Sequence, residues 1–472
     1  MTRILFVNVT NESRKKEVEI QHPSLGTLYL ASYLKAYGGF NDIKILETGS
    51  ITEQTLKTIK PDIIGVSSIT QHFNIAKKLC AEVKRISDVP IIIGGYHISA
   101  LPNNLTADMD VGVVGEGEET MLELAKAFEN HGLDKKSLGC IEGVVFRNSG
   151  ELIITPKREL IRPLDKIPFP ARKLVHFDKI QVHSMLTSRG CPYHCVFCSS
   201  SAFWGAVRYF SPEYVMAELR EIWRAYHPKV LGFDDDLFAV DKKRLERIAF
   251  LIKKEEFYGS LRLMCSARAN LVDNETVLLL KEIGVFSVSM GLESGSDRVL
   301  KYLKAGSVSV EQNRKAIDTL RANGLQSTAT FIIGSPTETK AEMQETLDFI
   351  RHSKLASFET YVLLPLPNTF VWDEAKAKGI VNDDMDWNDF EIYFEDNPES
   401  RVAVSELDRG ELLKTLLLFK REAKNRRAKR IVVQGILHPL KAVKFVERKF
   451  RVWKKLGRFN IGEGTWKGKT EP

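Results

Sequence analysis

Short apolar runs recur along this chain with helical patterns between them, and that alternation restricts it to folds built on parallel sheets. The first series is ILFVNV (4–9), IKIL (43–46), IIGVSS (63–68), IIIGG (91–95) and VGVVG (111–115). Between the third and fourth runs, Ile75, Leu79, Val83 and Ile86 recur at helical spacing and predict one buried helix face. Such a series predicts an α/β, doubly wound sheet with its ligand beyond the carboxyl ends of the strands. A second series, HSMLTS, VLGFDD, LRLMCSA, SVSMGLES, STATFIIG and TYVLLPL, begins near residue 183. Six such units predict a partial or complete β/α barrel, with reactive groups at the C-terminal strand ends. Between the two series, GVVFRNSGELIIT (143–155) reads as a hairpin turning at Asn148 to Gly150, and Pro163, Pro168 and Pro170 stiffen the segment after it. The expected division is a Rossmann-like domain over 1–135, a linker with a hairpin over 136–182, a barrel over 183–400 and a basic, mainly helical region over 401–472.

A chain of 472 residues is long enough for two or three cores. With 43% hydrophobic and 27% charged residues and no apolar run of about 18, it reads as globular and without a membrane span. MTRILFVNVT reads as a first strand and not as a leader, so a cytoplasmic protein is expected. The net charge of +7 is unevenly spread: residues 411–472 hold 18 Lys and Arg against 5 Glu, and the rest of the chain 50 against 56 acidic residues. In that tail apolar clusters alternate with cations. Such helices suit peripheral contact with an anionic membrane, with Val443, Phe450 and Trp453 dipping in, or equally a face packed on the barrel.

Three of the six cysteines, Cys191, Cys195 and Cys198, crowd into TSRGCPYHCVFCSS (187–200) after the first barrel strand. Three thiolates suit a [4Fe–4S] cluster whose fourth iron stays open to a small molecule. A zinc site or three unrelated thiols is the plainer alternative. Structural zinc normally takes four ligands, and His194, next to Cys195, is awkwardly tethered for the fourth. Cys80, Cys140 and Cys265 read as core or loop residues.

The C-x3-C-x2-C spacing with Phe197 before the last cysteine resembles the signature of the radical S-adenosylmethionine (SAM) superfamily. GFDDDLF (232–238), GLESGSDRVL (291–300) and FIIGSPTET (331–339) resemble its later strand-end segments, so the likeness spans about residues 180–400. It implies SAM contacts from Phe197, Asp234, Asp235, Asp236, Glu293, Ser294, Gly334 and Pro336, with Arg268 and Arg208 as candidates for the SAM carboxylate. The residue types suit such a ligand, with acceptors for an ammonium, a carboxylate for a ribose, and close backbone approach for adenine. Each also has a plainer role, the aspartates as helix caps, Glu293 as a solvated strand-end carboxylate, and Gly-x-Pro as a turn.

GVSSIT (65–70), GGYHIS (94–99) and VVGEGEET (113–120) resemble the cobalamin-binding domain that precedes the barrel in the B12-dependent class of these enzymes. The likeness implies cobalamin contacts from Ser67, Ser68, Thr70, Gly94, Gly95, Tyr96, His97, Gly115 and Glu116. Glu116 and its neighbours also suit the positive end of the following helix, and a flavodoxin-like domain that binds nothing stays open. The D-x-H-x-x-G motif that supplies a histidine to cobalt in other cobalamin proteins is missing. His22, in IQHPSLG (20–26), reads as a loop or helix-start residue.

The resemblance implies an enzyme that cleaves SAM reductively to a 5′-deoxyadenosyl radical and methylates an unactivated carbon of a secondary metabolite or lipid from methylcobalamin. A cyclisation, oxidation or rearrangement with the same cofactors is the second expectation. An external donor such as flavodoxin or ferredoxin is expected to supply electrons. Nucleic acid is not expected as a partner: tRNA-modifying relatives carry three further N-terminal cysteines, and only Cys80 and Cys140 precede the triad here.

Overall fold

A computed structural model of the chain describes residues 2–11, 24–175 and 183–437. His22, Val443, Phe450 and Trp453 lie outside the described residues. Contacts divide the chain into the units Met1–Phe419 and Lys420–Pro472.

The first apolar series forms β1 (Ile4–Val9), β2 (Ile43–Thr48), β3 (Ile63–Ser67), β4 (Ile91–Gly94) and β5 (Val111–Val113), all parallel. Strand period 2 shows in β1: Leu5, Val7 and Val9 enter one core layer, Ile4 and Phe6 the other. Both faces are covered, which is why the runs are apolar without interruption. The predicted hairpin is present as β6 (Val144–Asn148) and β7 (Glu151–Ile154), turning through Ser149 and Gly150, both at positive φ. It is no linker, however. β6 pairs antiparallel with β5, giving one seven-stranded sheet of order β2-β1-β3-β4-β5-β6-β7. The predicted helix spans Phe73–Ile86, but its buried face is Phe73, Ala76, Leu79, Cys80 and Val83, while Ile75 is only half-buried and Ile86 is exposed. The buried stripe runs through the small Ala76 and Cys80 in place of Ile75 and Ile86.

The second series forms β8 (His183–Met185), then, after the short antiparallel pair β9 (Ser188–Arg189) and β10 (Arg208–Tyr209), β11 (Val230–Phe233), β12 (Arg262–Ser266), β13 (Val285–Glu293), β14 (Gln326–Ile333) and β15 (Ser357–Val362). Six of these make a parallel sheet of order β15-β14-β13-β12-β11-β8, whose end strands β15 and β8 do not pair with each other among the described residues, so the barrel is partial. A helix runs from Arg409 to Leu437, and within the first unit Leu412, Leu416 and Phe419 are buried. Among the described residues no helix is long and apolar enough to cross a membrane.

A buried group of charges joins the end of β5 to the β9–β10 pair. Glu116, just past β5, accepts from Arg189 Nη1 at 2.7 Å, from Arg208 Nη1 and Nη2 at 2.8 and 2.9 Å, and from the Ile161 amide at 2.9 Å. Glu118 accepts from Arg189 Nη2 at 2.6 Å. No side chain of the four exceeds 5% exposure. Burial raises the Glu116 pKa, but the Arg208 hydrogen bond and the Arg189 charge outweigh it and hold the carboxyl below its ordinary value. Removing one partner strands the others in a dry site. Glu116→Ala is therefore expected to cost about 3–5 kcal/mol, read from the urea midpoint, and a loss under about 1 kcal/mol would show that the sheets are joined elsewhere.

Candidate functional site

The cysteine loop leaves β9 at Gly190 and is pinned at Val196, whose amide donates to Leu303 O at 3.1 Å and whose carbonyl accepts from Val371 N at 3.2 Å. Cys191, Cys195 and Cys198 are half-buried, whereas His194 is exposed. The Cys198 amide bonds to Cys195 O at 3.1 Å, and Cys198 stands at the head of the helix Ser199–Trp204. Burial pushes the Cys191 thiol up to about 11 against a lowering backbone hydrogen bond at Tyr193, with Asp236 and the other two thiols adding to the rise; Cys198 is raised mainly by burial. Among the described residues no three His, Cys, Asp or Glu side chains converge on one ion-sized point. A cuboidal cluster needs no such convergence, because each thiolate takes its own iron. The neighbouring thiols and the Arg268 guanidinium, 3.2 Å from Cys195 Sγ, fit an anionic cluster there.

The aspartate run after β11 splits as an extended chain must, with alternate side chains on opposite sides. Asp234 and Asp236 are exposed, and Asp236 accepts from Ser200 Oγ, in the helix headed by Cys198, at 2.5 Å. Asp235 is turned inward and accepts from the amides and hydroxyls of Thr187 and Ser188. It shapes the approach to the cysteine loop, in place of the SAM contact expected of it. Glu293 is no solvated carboxylate: it is 4% exposed, at φ 60°, and paired with Lys304 Nζ at 2.7 Å, whose ammonium lies 5.9 Å from the Phe197 ring centre. Ser294 is buried, its hydroxyl bonded to Thr346 Oγ1 at 3.1 Å and accepting from Ser296 N, so it holds its own loop and not a ligand. Arg208 is committed to Glu116 and the Ile161 carbonyl, which removes it as a partner for the SAM carboxylate.

After β14, Gly334 at φ 78° brings the backbone close under Val362 and Leu412, and Pro336 is half-exposed beside it. Sequence reasoning missed Glu338, 2% exposed, which accepts from Ser335 N at 3.0 Å and fixes that turn; burial lifts its pKa to about 7 despite the backbone donors.

In the first domain a cavity of about 310 Å³ opens at the strand ends. Ser67, Gly94, Gly95, Gly115 and Glu116 line it from one side, and Leu186, Arg189, Phe203 and Trp204 from the other. Gly95 sits at φ 101°, where a Cβ would lie 2.5 Å from Ser68 O, so only glycine lets the chain pass there. Gly94 meets nothing nearer than Val113 Cβ at 3.7 Å. Ser68, Thr70, Tyr96 and His97 do not line this cavity. Ser68 is buried and its hydroxyl donates to Ile69 O at 3.0 Å. Tyr96 donates to Pro367 O at 2.6 Å. His97 is fully buried, stacked on Phe73 at 3.7 Å, with Nε2 on Asn104 Oδ1 at 2.9 Å and Nδ1 on Thr70 Oγ1 at 3.3 Å. Burial lowers its pKa to about 4, and the ring is a neutral core residue that uses up the Thr70 hydroxyl. Ser68, Thr70, Tyr96 and His97 were all expected at the cobalamin, and none of the four lines the cavity.

The "Radical SAM superfamily" model matches residues 185–350, and the "B12 binding domain" model residues 15–125. An uncharacterized methyltransferase of Pyrococcus horikoshii is 31% identical over 83% of this chain and 86% of its own. The anaerobic magnesium-protoporphyrin IX monomethyl ester cyclase of Rubrivivax gelatinosus is 28% identical over 87% and 75%. Among solved structures, the cobalamin-dependent SAM radical enzyme OxsB, with aqua-cobalamin and SAM bound, superposes with a TM-score of 0.68 at 18% identity, covering 97% of this chain and 71% of that one. This likeness is one of fold. With both models matched in order on the two sheets, and a relative this similar across most of its length, the chain belongs to the cobalamin-binding-domain-containing radical SAM enzyme family, whose cofactors are a [4Fe–4S] cluster, SAM and cobalamin.

Proposed function

We propose that this enzyme is a methyltransferase acting on an unactivated carbon of a secondary metabolite or lipid. The observation that carries the reading is the helix Ser199–Trp204: it starts at Cys198, and its last two residues, Phe203 and Trp204, wall the cavity between the sheets. Six residues of helix span about 9 Å, so the cysteine loop lies one short helix away from the cavity. When bound, the cofactors supply an adenosyl radical for hydrogen abstraction and a methyl group for transfer.

The chain's own part is placement and exclusion. Cys191, Cys195 and Cys198 hold the cluster. Asp234, Asp236, Gly334 and Pro336 face SAM, and Arg268 stands beside Cys195. Ser67, Gly94, Gly95 and Gly115 let cobalamin approach the backbone closely, and the aromatic wall of Phe203 and Trp204 keeps water out. Flavodoxin or ferredoxin supplies the electron. Cyclisation is the second reading, favoured by the likeness to the Rubrivivax enzyme.

SAM labelled in its methyl group separates the two. Label in the product is expected, and 5′-deoxyadenosine formed beside an unlabelled product would establish cyclisation or oxidation instead. For the cavity, Gly94→Leu places a side chain where cobalamin would lie, and its Cβ meets nothing nearer than 3.7 Å. The variant is expected to lose the cobalamin absorbance and keep about four iron per chain. Undiminished cobalamin uptake would place the cofactor elsewhere. A lipid substrate fits the basic tail: the full chain is expected to sediment with anionic vesicles at low salt, and a chain ending near residue 410 is not. Equal binding by both would remove the tail from membrane contact.

A further inference from the structure

Arg268 is buried without a counter-charge. It follows β12, is 4% exposed, and among the described residues pairs with no carboxylate. Its Nη1 donates to Cys195 Sγ at 3.2 Å, its Nη2 to the Ser307 hydroxyl, and its guanidinium carbon lies 4.0 Å from the centre of the Tyr193 ring. Nε has no hydrogen-bond partner. Neutral neighbours leave the desolvation of such a cation largely uncompensated, so the site is built for an anion. The surroundings of the three thiols are also unequal, since Asp236 acts on Cys191 and Cys198 while Arg268 touches Cys195.

We propose that Arg268 tunes the reduction potential of the cluster through Cys195. The inference rests on Cys195 being an iron ligand. A cluster that accepts one electron gains one negative charge, shared by its sulfur ligands. A cationic donor on one of those sulfurs stabilises the reduced form more than the oxidised form and raises the potential. Ser307 and the Tyr193 face hold the guanidinium in that position. A lysine keeps the charge but lacks the fork that reaches Cys195 and Ser307 together.

The full chain, reconstituted and free of SAM, is titrated potentiometrically with the reduced cluster followed by electron paramagnetic resonance. Arg268→Gln is expected to retain iron while its reduced-to-oxidised ratio at fixed potential falls about tenfold, ~59 mV for a one-electron couple. Arg268→Lys is expected to fall about threefold by the same relation. An unchanged SAM-free midpoint in Arg268→Gln overturns the proposal, and weaker SAM binding in the same variant would assign the guanidinium to the SAM carboxylate. Should Arg268→Gln not load iron, Arg268→Lys decides, and a midpoint equal to that of the parent chain overturns the proposal. A parent chain that takes up no iron fails differently, because it removes the cluster assignment itself.

Discussion

The charge cluster of Glu116, Glu118, Arg189 and Arg208 is the contact on which the working geometry depends. Each residue is buried, and each is tolerable there only because the others are present. The two acids come from the turn and helix start after β5; the two arginines come from β9 and β10, which flank the cysteine loop on either side. Joining these four atom groups fixes the loop against the carboxyl ends of the first sheet. Trp204 lies 5.5 and 5.7 Å from the two guanidinium carbons and also walls the cavity, so the same contact sets the cavity's shape.

Much of the fold was legible because it is written in local periodicity. The apolar runs of the first series match strands to within two residues, those of the second to within four, and Ser149-Gly150 turns the hairpin that Asn148 to Gly150 promised. Its assignment to a linker failed for a tertiary reason: nothing in residues 143–155 records that β5 has an unpaired edge. The gathering of Cys191, Cys195 and Cys198 in one loop was legible for the same local cause, since the three lie within eight positions of the chain.

Partners far apart in sequence were not legible. Arg208 finds Glu116 across 92 positions, and Arg189 finds it across 73. An arginine after a cluster loop looks the same whether it meets a ligand or a buried glutamate. His97 was misplaced because a polar residue after Gly94-Gly95 suggests a pocket, while its ring is held by Thr70, Asn104 and Phe73. Asp235 was recoverable in principle: along an extended segment, the middle of three aspartates points opposite to its neighbours.

The first sheet is attached to the second half of the chain at a further place, away from the charge cluster. His97 meets Trp387 edge-on at 4.5 Å, Asn104 donates to Asp383 O at 2.8 Å, and Tyr96 to Pro367 O at 2.6 Å. Trp387 stacks in turn with Trp372 at 6.0 Å. These contacts reach the segments after β15, whereas Glu116 and Glu118 reach the arginines of the separate β9–β10 pair. Moving the first sheet away from either partner would expose one set of contacts, either four charges or a layer of aromatic rings. Both would be costly. Gly94, Gly95 and the aromatic end of the Ser199–Trp204 helix line the cavity beside the first of these fastenings, so opening it by drawing β9 and β10 away from the first sheet would strand four buried charges.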